Sequence, residues 1–440
     1  MSTRLLPALV LLTVSSLLNL PAAASSQARI VRLSDVHGAV RINRNNGLGF
    51  EPAFLNLPIT QGTQLRTLAD GRAEVEFEDG SSLRLAPNST ITFSSLTLND
   101  SGTRDSTIDL AQGLVYLNWL GKDDVNLKFS RETVDLDHPA HFRLADASDL
   151  AELAVFKGEV DVDGPDGKIT VAKNKTARFN PADNDKSEIK NKVQEAQLDS
   201  WDKDATSYHD EYAKAKNDTS PYGYGASDLN YYGSFSTVPG YGTMWQPFFT
   251  GVGWDPFMDG VWGFYPGMGY MYASAYPWGW LPYRYGNWIF VPSNGWMWQP
   301  GGWNSWLAVP SYTTSTLAPV HSLVPPTGTM KTVAIGRAGA TSTLSSRITM
   351  RPGSAGLFVP RGSIDNLRSL NHEVEKKGFV DMRPMPQFSV QTQHRSGFSG
   401  PSPGFQGEMA GRSMATTAPM SNSPTASSSP AAHASGGGHK

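Results

Sequence analysis

Residues 73–85 read Ala73-Glu74-Val75-Glu76-Phe77-Glu78-Asp79-Gly80-Ser81-Ser82-Leu83-Arg84-Leu85. Apolar and acidic residues alternate before Asp-Gly and the apolar positions resume after it, which is a strong signal for a β-hairpin. The pattern returns at residues 159–163 and 169–171, around a second turn that contains Gly and Asp. Regularly spaced short strands predict a mainly β domain over residues 28–180, built as a sandwich, a roll or a short β-solenoid.

The acidic side chains of these strands have two interpretations. Three glutamates share one face of residues 73–78, and three aspartates or glutamates share a face of residues 159–163. Such a face can bind cations, but antiparallel sheets commonly leave one polar face in water. The sequence therefore favours a solvated acidic face over a cation site.

Several segments of this domain together carry a family resemblance. They read Val36-His37-Gly38-Ala39-Val40-Arg41-Ile42, Phe54-Leu55-Asn56-Leu57-Pro58-Ile59-Thr60-Gln61-Gly62-Thr63-Gln64-Leu65-Arg66-Thr67, Gly71-Arg72-Ala73-Glu74-Val75, Asp79-Gly80-Ser81-Ser82-Leu83-Arg84-Leu85 and Phe156-Lys157-Gly158-Glu159-Val160. In this order they resemble the motifs of FecR-type periplasmic domains. The resemblance implies an exported interaction module. The best-known FecR-type proteins relay a signal to an extracytoplasmic-function sigma factor, through a cytoplasmic segment and a membrane helix that precede the periplasmic domain.

The first residues predict export instead of such a membrane route. Arg4 precedes an interrupted apolar run, and Pro21-Ala22-Ala23-Ala24-Ser25 offers a small-residue cleavage site after Ala24. We expect residues 1–24 to be a signal peptide, with an uncleaved anchor as the alternative. The mature chain is then expected in the periplasm or at the cell surface, with no stable transmembrane span. Because the chain has no cysteine, packing alone must hold its fold together.

Residues 181–220 predict a short helical connector. Ile189, Val193 and Ala196 share one helical face, and Glu188 with Lys192 forms an i,i+4 pair, so we expect a helix over about 186–212. A flexible linker is the alternative interpretation.

Residues 221–310 form an aromatic domain, with 27 Phe, Trp or Tyr among 90 residues. Residues 254–272 align without gaps with residues 280–298, a repeat of 26 residues, and Trp306 stands at the start of a partial third copy. Each copy alternates aromatic residues around Pro and Gly, which predicts a β-hairpin with aromatic cross-strand pairs. Such a segment is too aromatic for a disordered linker.

One motif in this domain carries a second resemblance. It reads Pro277-Trp278-Gly279-Trp280-Leu281-Pro282-Tyr283-Arg284-Tyr285-Gly286-Asn287-Trp288, followed by Gly295-Trp296-Met297-Trp298-Gln299-Pro300-Gly301. It resembles the Trp-rich domain of unassigned function that follows a FecR-type domain in acidobacterial and related proteins. The resemblance implies this architecture and brings no activity with it.

The aromatic rings are the candidate binding surface. Exposed rings stack on sugars or form a patch for a protein partner, whereas the alternative is that they pack as a core. The candidates are Trp254, Trp262, Trp278, Trp280, Tyr283, Trp288, Trp296, Trp298 and Trp303.

Residues 311–440 are expected to be a largely disordered tail of low complexity, with a net charge of +7. The chain lacks a thiol nucleophile and the common catalytic motifs. His138 and His141 are close in sequence. Pro139 disrupts the helical geometry that would bring them together, and in a strand they point to opposite faces, so a shared metal ion is not expected. The sequence has no cluster of basic residues and therefore does not predict nucleic-acid binding.

The sequence therefore predicts an exported, non-enzymatic envelope protein without cofactor or metal. It acts as a binding or scaffolding module for an unknown envelope protein or glycan. Binding of cell-wall polysaccharide by the exposed rings and FecR-like signalling to a sigma factor are the alternatives.

Overall fold

The computed structural model describes residues 28–98, 102–147, 149–183, 186–213, 220–316, 318–338 and 347–383. The predicted signal peptide, its cleavage site after Ala24, and residues 384–440 of the predicted tail lie outside this part of the chain. Strands predominate in it, as the sequence predicts. None of the helices in these ranges is long and apolar enough to cross a membrane.

The strands between residues 31 and 190 form the first part of the fold. They are β1 (Val31–His37), β2 (Val40–Asn43), β3 (Glu51–Pro52), β4 (Pro58–Ile59), β5 (Gln64–Thr67), β6 (Arg72–Glu76), β7 (Ser82–Leu85), β8 (Thr90–Leu98), β9 (Arg104–Trp119), β10 (Asp124–Phe129), β11 (Glu132–Leu136), β12 (Ala140–Ala147), β13 (Leu150–Lys157), β14 (Glu159–Gly164), β15 (Gly167–Ala172), β16 (Thr176–Asn180) and β17 (Lys186–Lys190).

These strands make two sheets that share β9. One sheet has the order β4-β1-β6-β7-β9-β12-β13-β16-β17. The other has the order β3-β2-β5-β8-β9-β10-β11-β14-β15, in which β9 and β10 run parallel. Apolar side chains of both sheets form one core, so the two sheets pack as a sandwich. The predicted mainly β domain is confirmed in this form.

The long strand β9 passes from one sheet to the other at Gly113. This residue has φ 107°, a conformation that favours glycine, and a methyl group there would lie 2.4 Å from Ser89 Oγ. Ser89 Oγ donates to Leu114 O and accepts from Leu114 N. The close approach of Ser89 therefore fixes the bend that lets one strand serve both sheets.

The connector contains a strand before its helix. β17 (Lys186–Lys190) pairs antiparallel with β16. Residues 191–198 then lead to the helix α1 (Asp199–Tyr212). The predicted helix over 186–212 is therefore correct only for its second half. The free edge of β16 offers unpaired backbone groups to the charged segment, and edge pairing satisfies them.

Three β-hairpins build the aromatic domain. Hairpin 1 is β18 (Gly233–Val238) with β19 (Gly242–Pro247), hairpin 2 is β20 (Gly260–Tyr265) with β21 (Gly269–Ser274), and hairpin 3 is β22 (Asn287–Val291) with β23 (Gly295–Gln299). Two short helices accompany them, α2 (Ala226–Tyr232) and α3 (Leu281–Arg284). A two-residue strand, β24 (Tyr312–Thr313), runs parallel to β22.

Hairpins 2 and 3 are the two sequence copies, and hairpin 1 repeats their geometry upstream. In each, the residue before the turn accepts from the residue three positions later: Val238 O from Tyr241 N, Tyr265 O from Met268 N and Val291 O from Asn294 N, at 3.0, 3.1 and 2.9 Å. The expected third copy at Trp306 is wrong, because no strand of the described residues includes Trp306. Weaker sequence similarity conceals the third hairpin, in which Phe235 and Trp245 take the paired aromatic positions.

The described part of the predicted tail adds further elements. They are β25 (Val333–Ile335), β26 (Ile348–Met350), α4 (Leu367–Lys377) and β27 (Val380–Met382). β25 extends hairpin 2, and Leu357, Val359 and Ile364 are buried against the aromatic rings. For residues 318–338 and 347–383 the structure thus differs from the expected disorder, because scattered apolar residues find an existing core to cover.

Candidate functional site

Eight of the nine candidate aromatic residues lie in the interior. Trp254, the most exposed of the eight, keeps 4% of its surface accessible. The others are Trp262, Trp278, Trp280, Tyr283, Trp288, Trp296 and Trp298, all buried more completely. Trp303 alone is partly exposed. The interpretation of these rings as an exposed binding surface is therefore wrong for the eight, which form a core.

Ring packing and hydrogen bonds explain this burial. The rings of Trp245 and Trp278 have centroids 5.0 Å apart, and Trp278 stacks on Tyr276 at 4.9 Å. Trp278 Nε1 donates to Ala355 O at 2.7 Å, and Trp298 Nε1 donates to Tyr285 O at 2.8 Å. Aromatic pairs add about 0.5–1.5 kcal/mol beyond the burial of area, so a small domain without disulfides gains most by packing its rings inward.

Hairpin 2 connects this aromatic core to the sandwich. Neighbouring residues of a strand face opposite sides. Trp262 and Tyr272 therefore pack in the aromatic core, whereas Val261 and Ala273 pack in the core of the sandwich. Tyr265 also donates its hydroxyl to Pro58 O at 2.6 Å. The two domains thus meet through an apolar contact.

A group of buried ionic side chains joins the same two domains beside this contact. We call it the ion network, and it consists of Arg32, Glu74, Glu76, Arg84, Asp202, His209, Asp228 and Arg361. These residues come from β1, β6, β7, α1, α2 and the segment before α4. The feature is unusual because the burial of ions is costly unless each one is paired.

Glu74 on β6 lies at the centre of the ion network. Arg84 lies opposite it on β7, and Arg84 Nε donates to Glu74 Oε2 at 2.7 Å. Arg361 Nη1 donates to Glu74 Oε1 at 2.8 Å, and His209 Nε2 lies 3.0 Å from the same oxygen. The carboxylate of Glu74 therefore connects the sandwich to α1, through His209, and to the segment before α4, through Arg361.

Asp228 on α2 is the second centre. Arg32 Nη1 lies 2.5 Å from Asp228 Oδ2, and Arg361 Nη2 donates to the same oxygen at 2.7 Å. Tyr208 of α1 donates its hydroxyl to Asp228 Oδ1 at 2.8 Å. Arg32 also donates from Nη2 to Pro277 O at 2.6 Å, in the motif of the aromatic domain. Asp228 and Arg32 thus join the sandwich, α1 and the aromatic domain.

Asp202 completes the ion network on α1. It accepts from Arg84 Nη1 at 2.6 Å, and its other oxygen lies 2.7 Å from His141 Nε2. His138, in contrast, lies beside Asp137 at the surface. The structure therefore directs the two histidines of the sequence pair to different partners, and no cluster of metal-ligand type occurs within the described ranges.

Two family models match the chain at these two domains. The model described as FecR protein matches residues 63–161, inside the sandwich. The model described as a family of unknown function, DUF6600, matches residues 226–321, which begin at α2 and include all three hairpins. The chain combines a FecR domain with a DUF6600 domain.

Solved structures and curated proteins add little to this assignment. Two structures of a "putative anti-sigma factor" from Parabacteroides distasonis are similar to the chain, at 16% and 17% identity and a TM-score of 0.26. The alignment covers 29% of this chain and 59% of each of those chains, so the chain spans less than two thirds of their length. A TM-score this low supports no conclusion on fold or function. The comparison with curated proteins found no match.

Protonation of the ion network follows from its pairing. Burial alone would raise the pKa of Glu74, but His209, Arg84 and Arg361 hold that pKa well below its usual range. Burial would likewise raise the pKa of Asp228, and Arg361 with Arg32 lowers it. These carboxylates are therefore ionised at neutral pH.

His209 is the histidine of the ion network, and its pKa is raised. Burial lowers its pKa, but Glu74 and Glu76 outweigh burial, and the net effect is a raised pKa. The four carboxylates of the ion network face three arginines, so a protonated His209 balances the charge. The FecR domain and the DUF6600 domain are thus joined by a buried contact of four carboxylates, three arginines and one histidine.

Sequence reasoning missed the ion network. The alternation at residues 73–78 predicts glutamates in water, yet Glu74, Glu76 and Glu78 are all buried, and Glu78 pairs with Arg29. The prediction of a solvated face is therefore wrong for this strand. The hairpin register does contain a signal, because it places Arg84 directly opposite Glu74. Arg32 lies on the neighbouring strand β1, opposite Glu76, but β1 is remote from β6 in sequence. Asp202, His209, Asp228 and Arg361 lie more than 100 residues away in sequence.

Proposed function

We propose that the chain is an exported, non-enzymatic binding protein of the bacterial envelope whose FecR and DUF6600 domains act as one rigid body. The observation that carries the proposal is the ion network. Buried ion pairs add little net stability, and we infer that in this chain they fix the arrangement of their partners. Fixing two domains in this way prepares a single composite surface for a partner, which reduces the entropic cost of binding.

The chemistry of the ion network supports a structural role for its charged groups. Glu74, Asp202 and Asp228 each accept from at least one arginine and lie in the interior. A general acid or base must reach a substrate. Carboxylates that are buried and paired in this way serve the fold, so they fit a structural role better than catalysis.

The predicted signal peptide supports a place in the periplasm or at the cell surface. Among the partners that the sequence leaves open, burial of the eight rings favours a protein over a glycan. Sugar stacking needs an accessible ring face, and Trp280, Trp288 and Trp298 offer none. Protein partners, in contrast, recognise composite surfaces of mixed chemistry.

Retention of an envelope partner tests the proposal. The mature full-length chain, tagged at its C-terminus, is immobilised and exposed to solubilised envelope fractions, and retained proteins are identified by mass spectrometry. We expect a defined protein that resists competition by soluble peptidoglycan fragments. Sequencing of the N-terminus from the same cells should give Ser25.

An Arg361→Gln variant serves as the matched bait, because it weakens the contact between the domains and leaves their outer surfaces unchanged. We expect it to retain less of the partner while its circular dichroism still indicates a folded β protein. Equal retention by both baits contradicts the rigid-body part of the proposal. Retention of no specific partner by the wild-type chain contradicts the binding function itself.

A further inference from the structure

Strand β18 (Gly233–Val238) forms an edge of the sheet that hairpins 1 and 3 build, in the order β18-β19-β23-β22-β24. In the described part of the chain it pairs with β19 and with no other strand. Outside that ladder, the backbone groups of residues 234–237 have no backbone partner within the described ranges. Ser236 and Thr237 are exposed. An edge of this kind is a template on which another strand can pair.

Most other sheet edges of the described residues are protected against such pairing. β17 contains Lys186, Glu188 and Lys190, and β15 contains Lys168. β3, β4 and β24 are two residues long, and β25, β26 and β27 are three residues long. Charged side chains and short strands are the usual features that prevent pairing at an edge.

β21 (Gly269–Ser274) resembles β18 in its length and its lack of charge, but its edge is covered. Tyr272 N donates to Ala308 O at 2.9 Å. Tyr272 O accepts from Arg284, and Ser274 O accepts from Asn56 Nδ2 at 2.9 Å. Among the edges that the structure describes, β18 is therefore the one that is six residues long, uncharged and uncovered.

The sheet that contains β18 is uncharged throughout. Its five strands include no Asp, Glu, Lys, Arg or His. When a strand pairs with its own copy across a two-fold axis, equivalent side chains come close together, and like charges there are destabilising. In β17, an axis at Glu188 would place Glu188 opposite its copy and Lys186 opposite Lys190. β18 has no such obstacle to pairing with itself.

A small apolar cluster lies beside this edge. Because neighbouring residues of a strand alternate, Met244 and Met297 lie on the face opposite Trp245 and Trp298, which pack in the aromatic core. Ser236 lies opposite Met244 in the register and shares its face. A strand paired to β18 would therefore extend the cluster as well as the ladder. The cluster consists of Val238, Met244, Val291 and Met297, with Tyr241 and Ile289 partly buried against it.

We propose that β18 pairs antiparallel with β18 of a second copy of this chain across a two-fold axis, so that two five-stranded sheets become one. The inference goes beyond the proposed function, which concerns a different protein as partner. Pairing supplies acceptors and donors to the backbone groups of the edge. A single pair of strands buries a small area, so we expect a dimer that dissociates reversibly on dilution.

Sedimentation velocity on the mature full-length chain over a range of concentrations tests the inference. We expect an equilibrium between monomer and dimer. Thr237→Lys places a charge on the exposed edge and should raise the dissociation constant at least about tenfold, because pairing brings the two added lysines together. Ser236→Lys should act in the same direction. Thr97→Lys is the matched control, since Thr97 is an exposed residue of β8 in the interior of a FecR sheet, and it should leave the equilibrium unchanged.

Cysteine cross-linking locates the contact, because the chain has no cysteine of its own. A two-fold axis perpendicular to the sheet passes at one residue of the strand, and a cysteine at that residue meets its own copy. Oxidation of single-cysteine variants at Ser234, Phe235, Ser236 and Thr237 should therefore give a covalent dimer at one of these positions. Thr97→Cys should give none.

The inference is overturned if the folded wild-type chain is monomeric at every concentration, if both lysine variants dimerise as tightly as the wild type, or if none of the four cysteines forms a cross-link. A monomeric chain whose Thr237→Lys variant no longer retains the envelope protein assigns the edge to that protein and excludes the second copy. A monomeric chain in which retention is unchanged refutes the dimer and leaves the proposed function intact. A dimer that retains no envelope protein supports the inference and refutes the proposed function.

Discussion

Arg361 donates to Glu74 at 2.8 Å across 287 positions of sequence. Glu74 lies on β6 of the FecR domain, whereas Arg361 belongs to the segment before α4, beyond the DUF6600 match. The contact therefore makes a residue from the predicted tail part of the interior.

Replacement of Arg361 by Ala should strongly destabilise the chain. Arg361 contacts Glu74 and Asp228, and removal of one partner from a buried ionic contact costs about 3–5 kcal/mol. Urea denaturation followed by tryptophan fluorescence measures the effect. Arg351→Ala is the matched control, because Arg351 is exposed and should change stability by less than about 0.5 kcal/mol. Equal effects of the two substitutions would contradict a structural role for the ion network.

The sequence predicts the elements of this fold better than their assembly. Alternation around Asp79-Gly80 predicts the hairpin of β6 and β7, and the 26-residue repeat predicts hairpins 2 and 3, because both signals are local. The ion network depends on partners such as Asp202 and Arg361, which sequence spacing cannot bring together. An alternating acidic strand also has the same pattern whether it faces water or buried arginines, so burial of Glu74 could not be read from it.

Stability should depend on the protonation of His209. The charged ring faces Glu74 at 3.0 Å and Glu76 at 3.3 Å, with Arg361 opposing it, and the net effect raises its pKa. A raised pKa in the fold gives stability that is complete below the unfolded value of about 6.5 and is lost as the pH rises through the folded value. We therefore expect the free energy of unfolding to fall as the pH rises above about 6.5 and through the raised pKa of His209.

His209→Gln tests this pH dependence against a matched histidine. Chemical denaturation at several pH values should show that His209→Gln is less stable than the wild type near pH 6 and that the difference shrinks as the pH rises. His372→Gln, on the exposed surface of α4, should keep the wild-type profile. Parallel profiles for His209→Gln and the wild type would show that His209 does not carry the positive charge.

The turn glycine of hairpin 2 should be required for its backbone conformation alone. Gly269 has φ 78°, and Gly242 and Gly295 have nearly the same φ at the equivalent positions. A methyl group on Gly269 meets no atom within 4 Å, so Gly269→Ala should cost about 1–2 kcal/mol through the left-handed conformation only. Gly269→Asn should cost less, since Asn adopts this conformation more readily. Thermal unfolding compares the two, and a larger loss for Asn would contradict a backbone cause.

Substitution of two tryptophans separates a core from a binding surface. Trp298 is fully buried opposite Trp288 in hairpin 3, and its Nε1 donates to Tyr285 O. Trp298→Ala should cost about 3–5 kcal/mol, because it leaves a large cavity and an unpaired carbonyl. Trp303 is partly exposed, so Trp303→Ala should cost roughly 1–2 kcal/mol. Urea denaturation gives both values, and retention of the envelope partner is measured on each folded variant. If Trp298→Ala keeps wild-type stability but no longer retains the partner, the interpretation of Trp298 as an exposed binding residue is restored. If Trp298→Ala is destabilised but still retains the partner when folded, Trp298 belongs to the core.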